Sequence, residues 1–171
     1  LALADLPAFV RLAGKVGARI DVLHAHVGSG VTDKAHWANL FAQLAGQADA
    51  IGTVKAINLG GGLGVPYGDD DEPFDVEALA GALNESRKQF PQYAVWMEPG
   101  RFMVAEAGVL LTRVSQVVDK LGMRRIGLDA GMNALMRPAL YQSKHRIVNL
   151  SRSGEAGDRR VDVVGPICES T

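Results

Sequence analysis

A single cysteine, Cys168, in 171 residues excludes any internal disulfide and suits a reducing, cytoplasmic location. Long apolar runs are missing too: no stretch approaches the roughly 20 residues needed to cross a bilayer. The first residues, Leu1-Ala2-Leu3-Ala4-Asp5, lack the basic flank and apolar core of a secretory leader. Charge of one sign is also scarce. With 18 Lys and Arg against 19 Asp and Glu the net charge is −1, and no basic run breaks the balance. That excludes a polycationic nucleic-acid surface or an anionic-membrane surface as the expected partner. Internal repeats and low-complexity tracts are absent. So is an initiator methionine, and the chain stops at Thr171 within an apparent motif, so both ends are expected to be cuts in a longer polypeptide.

Glycine is abundant, at 20 residues, and its clustering as Gly60, Gly61, Gly62 and Gly64 suggests backbone brought close to a ligand. An apolar share of 47% with 22% charged residues is ordinary for a globular protein. Asp5 before Leu6-Pro7 reads as a helix start, followed by Phe9, Val10, Ala13 and Val16 at helical spacing. Asp33 can cap a second helix with Trp37, Leu40, Phe41, Leu44, Ala48 and Ile51 on one face. Asp75 opens a third. Segments 19–24, 54–59 and 93–97 read as the strands between them. Such alternation points to βα units on a parallel sheet over residues 1–105. Beyond it, segments 108–120, 124–128, 145–150 and 161–164 read as strands without a long helix, so residues 106–171 are expected to begin a mainly β domain.

Four motifs follow or end these strands: His24-Ala25-His26-Val27-Gly28-Ser29-Gly30, Gly60-Gly61-Gly62-Leu63-Gly64, Glu98-Pro99-Gly100-Arg101 and Cys168-Glu169-Ser170. Alternation along a strand puts His24 and His26 on one face. They suit a metal pair, or a flat platform for an aromatic ring with Ser29 turned to a phosphate. A metal centre needs three or four ligands, and His36 and His145 sit without ligand-like neighbours, so no metal is expected. The glycine cluster can aim several N–H groups at one anion, or simply turn tightly. It fits neither the dinucleotide fingerprint nor a P-loop, because Val65 and Pro66 follow Gly64. Pro99 and Gly100 turn the chain just past a strand expected to be buried, leaving Glu98 at its carboxyl end. Burial of that carboxylate calls for a proton or a cation, and Arg101 is near in sequence. Arg137 and Tyr141 offer a guanidinium and a phenol able to grip a carboxylate. A lone cysteine such as Cys168 is by default inert.

Taken jointly, the stretches HAHVGSG, INLGGGLGVPY, EPGR, LDAGMNALMRPALY and GPICES resemble the alanine-racemase-like, pyridoxal-phosphate-dependent decarboxylases, within which the similarity runs to the diaminopimelate decarboxylases. The resemblance covers the chain almost end to end. It implies the later half of a (β/α)8 barrel followed by the start of a β domain, pyridoxal 5′-phosphate as cofactor, and a homodimer with shared active sites. It implies that His26 stacks on the pyridine ring, and that Ser29 with the amides of Gly60, Gly61 and Gly62 holds the phosphate. By the same resemblance Glu98 would pair with the ring nitrogen, within a cofactor-contacting segment that includes Pro99, Gly100 and Arg101. Arg101, Arg137, Tyr141 and Glu169 would bind substrate, and Cys168 would return a proton to the reacting carbon.

Three departures stand out. Phe102 and Ala134 replace residues that are usually small and acidic, respectively. The lysine with which the family anchors its cofactor lies well before the histidine motif. Here Lys15 is too near to be that residue, and Lys34, Lys55, Lys88, Lys120 and Lys144 all follow His26. The expected activity is decarboxylation of meso-2,6-diaminopimelate to lysine by a longer parent enzyme, with this piece inactive alone. The alternatives are decarboxylation of ornithine, arginine or carboxynorspermidine, a non-catalytic binding relative, and a metal-dependent barrel hydrolase.

Overall fold

The computed structural model describes residues 1–68, 70–157 and 159–167. The chain divides into two compact units, residues 1–66 with 72–107, and residues 67–71 with those from 108 onward.

In the first unit three short strands, β1 (Val22–His24), β2 (Ala56–Asn58) and β3 (Ala94–Trp96), lie side by side in sequence order. Both pairings are parallel, with His24, Asn58 and Trp96 aligned across the sheet. Parallel neighbours need crossovers, supplied by α2 (Ala35–Ile51) and α3 (Val76–Gln89). Helix α2 forms because its apolar residues recur at helical spacing: Trp37, Leu40, Phe41, Ala45 and Ala48 are all buried. They pack with Ile57, Leu59, Leu79, Leu83 and Tyr93 into one core. The helix stops at Gly52, whose φ of +75° admits a left-handed cap that donates to the Ala48 carbonyl.

Asp33 lies just before α2 and accepts from the Ala35 amide at 3.0 Å. Asp75 caps α3, accepting from the Ala78 amide at 2.8 Å and from Lys34 Nζ at 3.0 Å. The first of those bonds, then the second, holds the Asp75 carboxyl below its ordinary range near 3.8. Its stabilising contribution is therefore complete above about that pH and is lost as pH falls through the lower folded value. Asp75→Ala is expected to lower the melting temperature by about 2–4 °C at pH 7, with the difference vanishing in strong acid. Thermal melts at pH 7 and pH 2.5 check it.

Asp5 behaves otherwise. It ends a 3₁₀ turn, Leu3–Asp5, and makes no side-chain cap for α1 (Leu6–Lys15), because that turn already supplies a continuous helical entry. None of α1 is buried, so its apolar stripe of Phe9 and Leu12, continued by Val16 at the cap, is exposed within this unit. The strand β3 is likewise not buried; it pairs only with β2 among the described residues, and Trp96 stays half exposed. The expectation of a buried third strand is corrected on that ground.

In the second unit, β4 (Val114–Lys120) and β5 (Met123–Leu128) form a hairpin closed by Leu121 and Gly122, both at positive φ as a two-residue turn requires. A third strand, β6 (Asp162–Val164), pairs parallel to β5. Residues 108–113 and 145–149 are not strand, contrary to the sequence reading. At the second place Asn149 accepts from the Ser151 amide and starts a 3₁₀ turn, Leu150–Arg152. A side chain that satisfies its own neighbouring backbone competes directly with a sheet ladder. The short helices are α4 (Gly100–Val104) in the first unit and α5 (Arg137–Tyr141) in the second.

Candidate functional site

The carboxyl ends of β1, β2 and β3 are occupied by His24, Asn58 and Trp96, and the loops that leave them interlock. Ala25 donates to the Asn58 carbonyl, Leu59 to the Trp96 carbonyl, and Glu98 to the Gly60 carbonyl at 2.8 Å. Val31 and Gly62 are joined in the same way, at 2.9 Å. This packing has no room for side chains on the glycine loop. A Cβ at Gly61 would lie 2.0 Å from the Glu98 carbonyl oxygen, and one at Gly62 would lie 2.1 Å from that of Gly28.

Above the interlock lies a cavity of about 230 Å³, somewhat below the usual range of about 300–1,000 Å³ for ligand pockets. Of the residues expected to touch a cofactor, His26, Ser29, Gly62, Glu98, Pro99, Gly100 and Arg101 line it. Gly60 and Gly61 do not. Their amides are engaged inside the protein, Gly60 with Asn58 Oδ1 at 2.9 Å and Gly61 with His26 Nδ1 at 3.1 Å. The reading of three amides aimed at one anion is thereby corrected: only Gly62 of the three faces the cavity. Gly60 and Gly61 shape it from below.

His26 and His24 do not share one strand face, because β1 ends at His24. The His26 ring is instead oriented by the Gly61 amide. A ring nitrogen that accepts that bond must carry a lone pair, which leaves the neutral ring's proton on Nε2. Ser29 Oγ accepts from an Nη of Arg101. Glu98 lines the cavity and is half exposed, not buried as its position after a strand suggested; β3, which leads into it, pairs only with β2 among the described residues. Its Oε1 accepts from Asn58 Nδ2 at 2.8 Å, and Oε2 lies 3.6 Å from His24 Nε2.

Sequence reasoning missed Asn58, Leu63 and Phe102. Leu63 and Phe102 line the cavity. Phe102 packs edge-on against Phe74, which packs edge-on against Trp37, and the Trp37 indole donates to the Gly61 carbonyl at 3.3 Å. An aromatic row thus backs the glycine loop. The detectable hint for Asn58 was a lone amide in an otherwise apolar strand directly before the glycines.

The other site residues belong elsewhere. In the second unit Arg137 and Tyr141 are the ends of α5, with the guanidinium carbon 5.0 Å from the phenol ring centre. The Arg137 Nε is buried with no hydrogen-bond partner among the described residues. His36 packs edge-on to Trp37, and His145 edge-on to Tyr67. Cys168 and Glu169 lie outside the described residues. Among the described residues no group of three or more His, Cys, Asp or Glu is placed to hold a metal ion, and no helix is long and apolar enough to cross a membrane.

Residues 3–105, which include all of this site, match the family described as pyridoxal-dependent decarboxylase, pyridoxal binding domain. The chain belongs to the pyridoxal-dependent decarboxylases. This decarboxylase chain is 38% identical to the diaminopimelate decarboxylase of Escherichia coli K12, over 97% of its own length and 42% of the relative's. A crystal structure of diaminopimelate decarboxylase superposes with a TM-score of 0.85 at 36% identity, covering 97% of this chain and 42% of that one. The Helicobacter pylori diaminopimelate decarboxylase complexed with L-lysine gives 0.81 at 31%, covering 98% and 42%. The chain therefore spans about two fifths of the length of these relatives. Its fold is α/β, part of an alanine-racemase-like (β/α)8 barrel with a sheet-based unit after it.

The donor set suits a phosphorylated pyridine. The cavity offers an imidazole of fixed orientation, a hydroxyl beside a guanidinium for an anion, and a carboxylate whose oxygens stand at the mouth.

Proposed function

We propose that the first unit holds pyridoxal 5′-phosphate and that the whole enzyme decarboxylates meso-2,6-diaminopimelate to L-lysine. The observation that carries this is Glu98, held by Asn58 and lining one cavity together with the bonded pair Ser29 and Arg101. When bound, the cofactor supplies an electron sink for the pair left on carbon as carbon dioxide departs.

Each residue then has a task. Glu98 would keep a proton on the ring nitrogen, giving the sink its positive charge. His26 would pack against the ring and exclude water there. Ser29, Arg101 and the backbone of Gly62 and Gly100 bind the phosphate, with Pro99 fixing the turn and Gly60 and Gly61 supporting from beneath. Arg101, Arg137 and Tyr141 hold a substrate carboxylate, and Glu169 the distal ammonium. Cys168 delivers the proton that replaces the carboxylate, in a site shared across a homodimer. Such a lysine-forming enzyme belongs in the cytoplasm.

Lysine placement decides what this chain does by itself. Among the described residues no lysine lines the cavity; Lys34 and Lys88 are paired with Asp75 and Glu85, and Lys55 lies just before β2, at the end away from Asn58. Decarboxylation therefore needs an amine from another segment.

Pyridoxal phosphate is expected to bind the chain at least tenfold more tightly than pyridoxal, since each charge-assisted phosphate bond is worth about 1.5–3 kcal/mol. No carbon dioxide should be released by the chain alone. A polypeptide completed to its relatives' length should release it from diaminopimelate in preference to ornithine or arginine. Equal affinity for the two vitamers would remove the phosphate site, and turnover of ornithine only would overturn the substrate.

A further inference from the structure

We propose that Asn58 is the positioning residue that fixes both the aim of Glu98 and the seat of the glycine loop, a role that rests on the reading of Glu98 as partner of the ring nitrogen. The side chain of Asn58 is used at both ends. Its Oδ1 accepts from the Gly60 amide at 2.9 Å, and its Nδ2 donates to Glu98 Oε1 at 2.8 Å. The assignment of the two ends is forced, because an amide N–H cannot accept and an ionised carboxylate cannot donate.

The Glu98 amide in turn donates to the Gly60 carbonyl at 2.8 Å, so the three residues close a ring of hydrogen bonds. That ring joins the end of β2, the glycine loop and the segment after β3. Glu98 cannot rotate away without breaking it, and the loop cannot rise without breaking it. His24 also stands against the carboxylate, but 3.6 Å from Oε2, so among the described residues the side-chain donor to Oε1 is Asn58.

A second observation singles out the position. Asn is disfavoured in strands, yet Asn58 stands between Ile57 and Leu59, both fully buried. A local preference broken beside a binding site, with both polar atoms engaged, marks a functional demand.

The experiment separates loop support from carboxylate aim with two substitutions. Asn58→Ala removes both bonds. It is expected to speed hydrogen exchange of the Gly60 amide about tenfold or more, and to move the ¹⁵N signal of bound, ring-labelled pyridoxal phosphate toward its unprotonated position. Asn58→Asp keeps an acceptor for Gly60 but sets a carboxylate against Glu98. Gly60 exchange should then stay within about twofold of wild type while the Glu98 side-chain ¹³C signal of the ligand-free chain moves.

A Glu98 carbon unmoved in both variants, or a ring nitrogen unchanged in Asn58→Ala, would overturn the role given to Asn58. A ring nitrogen already unprotonated in the wild type would instead bring down the reading of Glu98, while the ligand-free measurement still judges Asn58. Should Asn58→Ala fail to fold, Asn58→Asp decides alone through that ligand-free signal.

Discussion

Gly61→Ala is expected to lower the melting temperature by about 6–12 °C, while Gly46→Ala raises it slightly. The new Cβ at position 61 would sit 2.0 Å from the Glu98 carbonyl oxygen and 3.0 Å from its carbon. Neither partner can yield cheaply. The Glu98 carbonyl accepts from the Gly100 amide at 2.8 Å. Gly61 itself is held by His26 through its amide and by Trp37 through its carbonyl. A clash with backbone cannot be relieved by a rotamer change, so the cost reaches the upper part of the overpacking range, about 3 kcal/mol. For a chain of this size each kcal/mol is worth about 2–4 °C.

Gly46, inside α2, has nothing within 4 Å of its missing Cβ, so alanine there gains about 0.5–1 kcal/mol by relieving the helix of glycine. Circular-dichroism melts of the two variants give the comparison. A Gly61→Ala protein melting within 2 °C of wild type would show that the three loops do not interlock as described.

Much of the site was legible because its clues are local. The apolar spacing of Trp37, Leu40, Phe41 and Ala48 and the cap at Asp75 are satisfied within a few residues of chain, and the structure keeps them; Asp33 stands one residue before the α2 cap position and accepts from the Ala35 amide. The motif order also carried the family. Some failures came where a distant partner decides, others where a neighbouring side chain or turn does. The Gly60 amide is taken by Asn58, two residues before it, but whether the Gly61 amide points at a ligand depends on His26, 35 residues away in sequence. No spacing rule contains that information. Burial of Glu98 was inferred from the strand before it, but burial belongs to the neighbours of β3, and only β2 stands beside it among the described residues. At residues 145–150 the apolar pattern suggested a strand, and one Asn149 side chain diverted the backbone into a turn. Asp5 lost its capping task to the turn that precedes α1.

Glu98→Gln is expected to have the largest effect on chemistry. Glutamine matches glutamate in size and its oxygen can still accept from Asn58, so the hydrogen-bonded ring with Gly60 survives. What changes is charge and polarity at the mouth. A neutral amide does not hold a proton on a ring nitrogen, and without that positive charge the electron pair left by decarboxylation has a poorer sink. In the proposed reading the phosphate binds elsewhere, at Ser29 and Arg101, so cofactor content should change little.

The loss is expected to be on the order of 100-fold or more in kcat, the scale of removing a positioned proton partner. The decisive measurement is steady-state release of carbon dioxide from diaminopimelate by Glu98→Gln in a polypeptide completed to its relatives' length, with bound cofactor quantified in the same sample. At least a hundredfold fall in kcat with cofactor content within twofold of wild type is the predicted result; a near-wild-type rate at full cofactor content would contradict it.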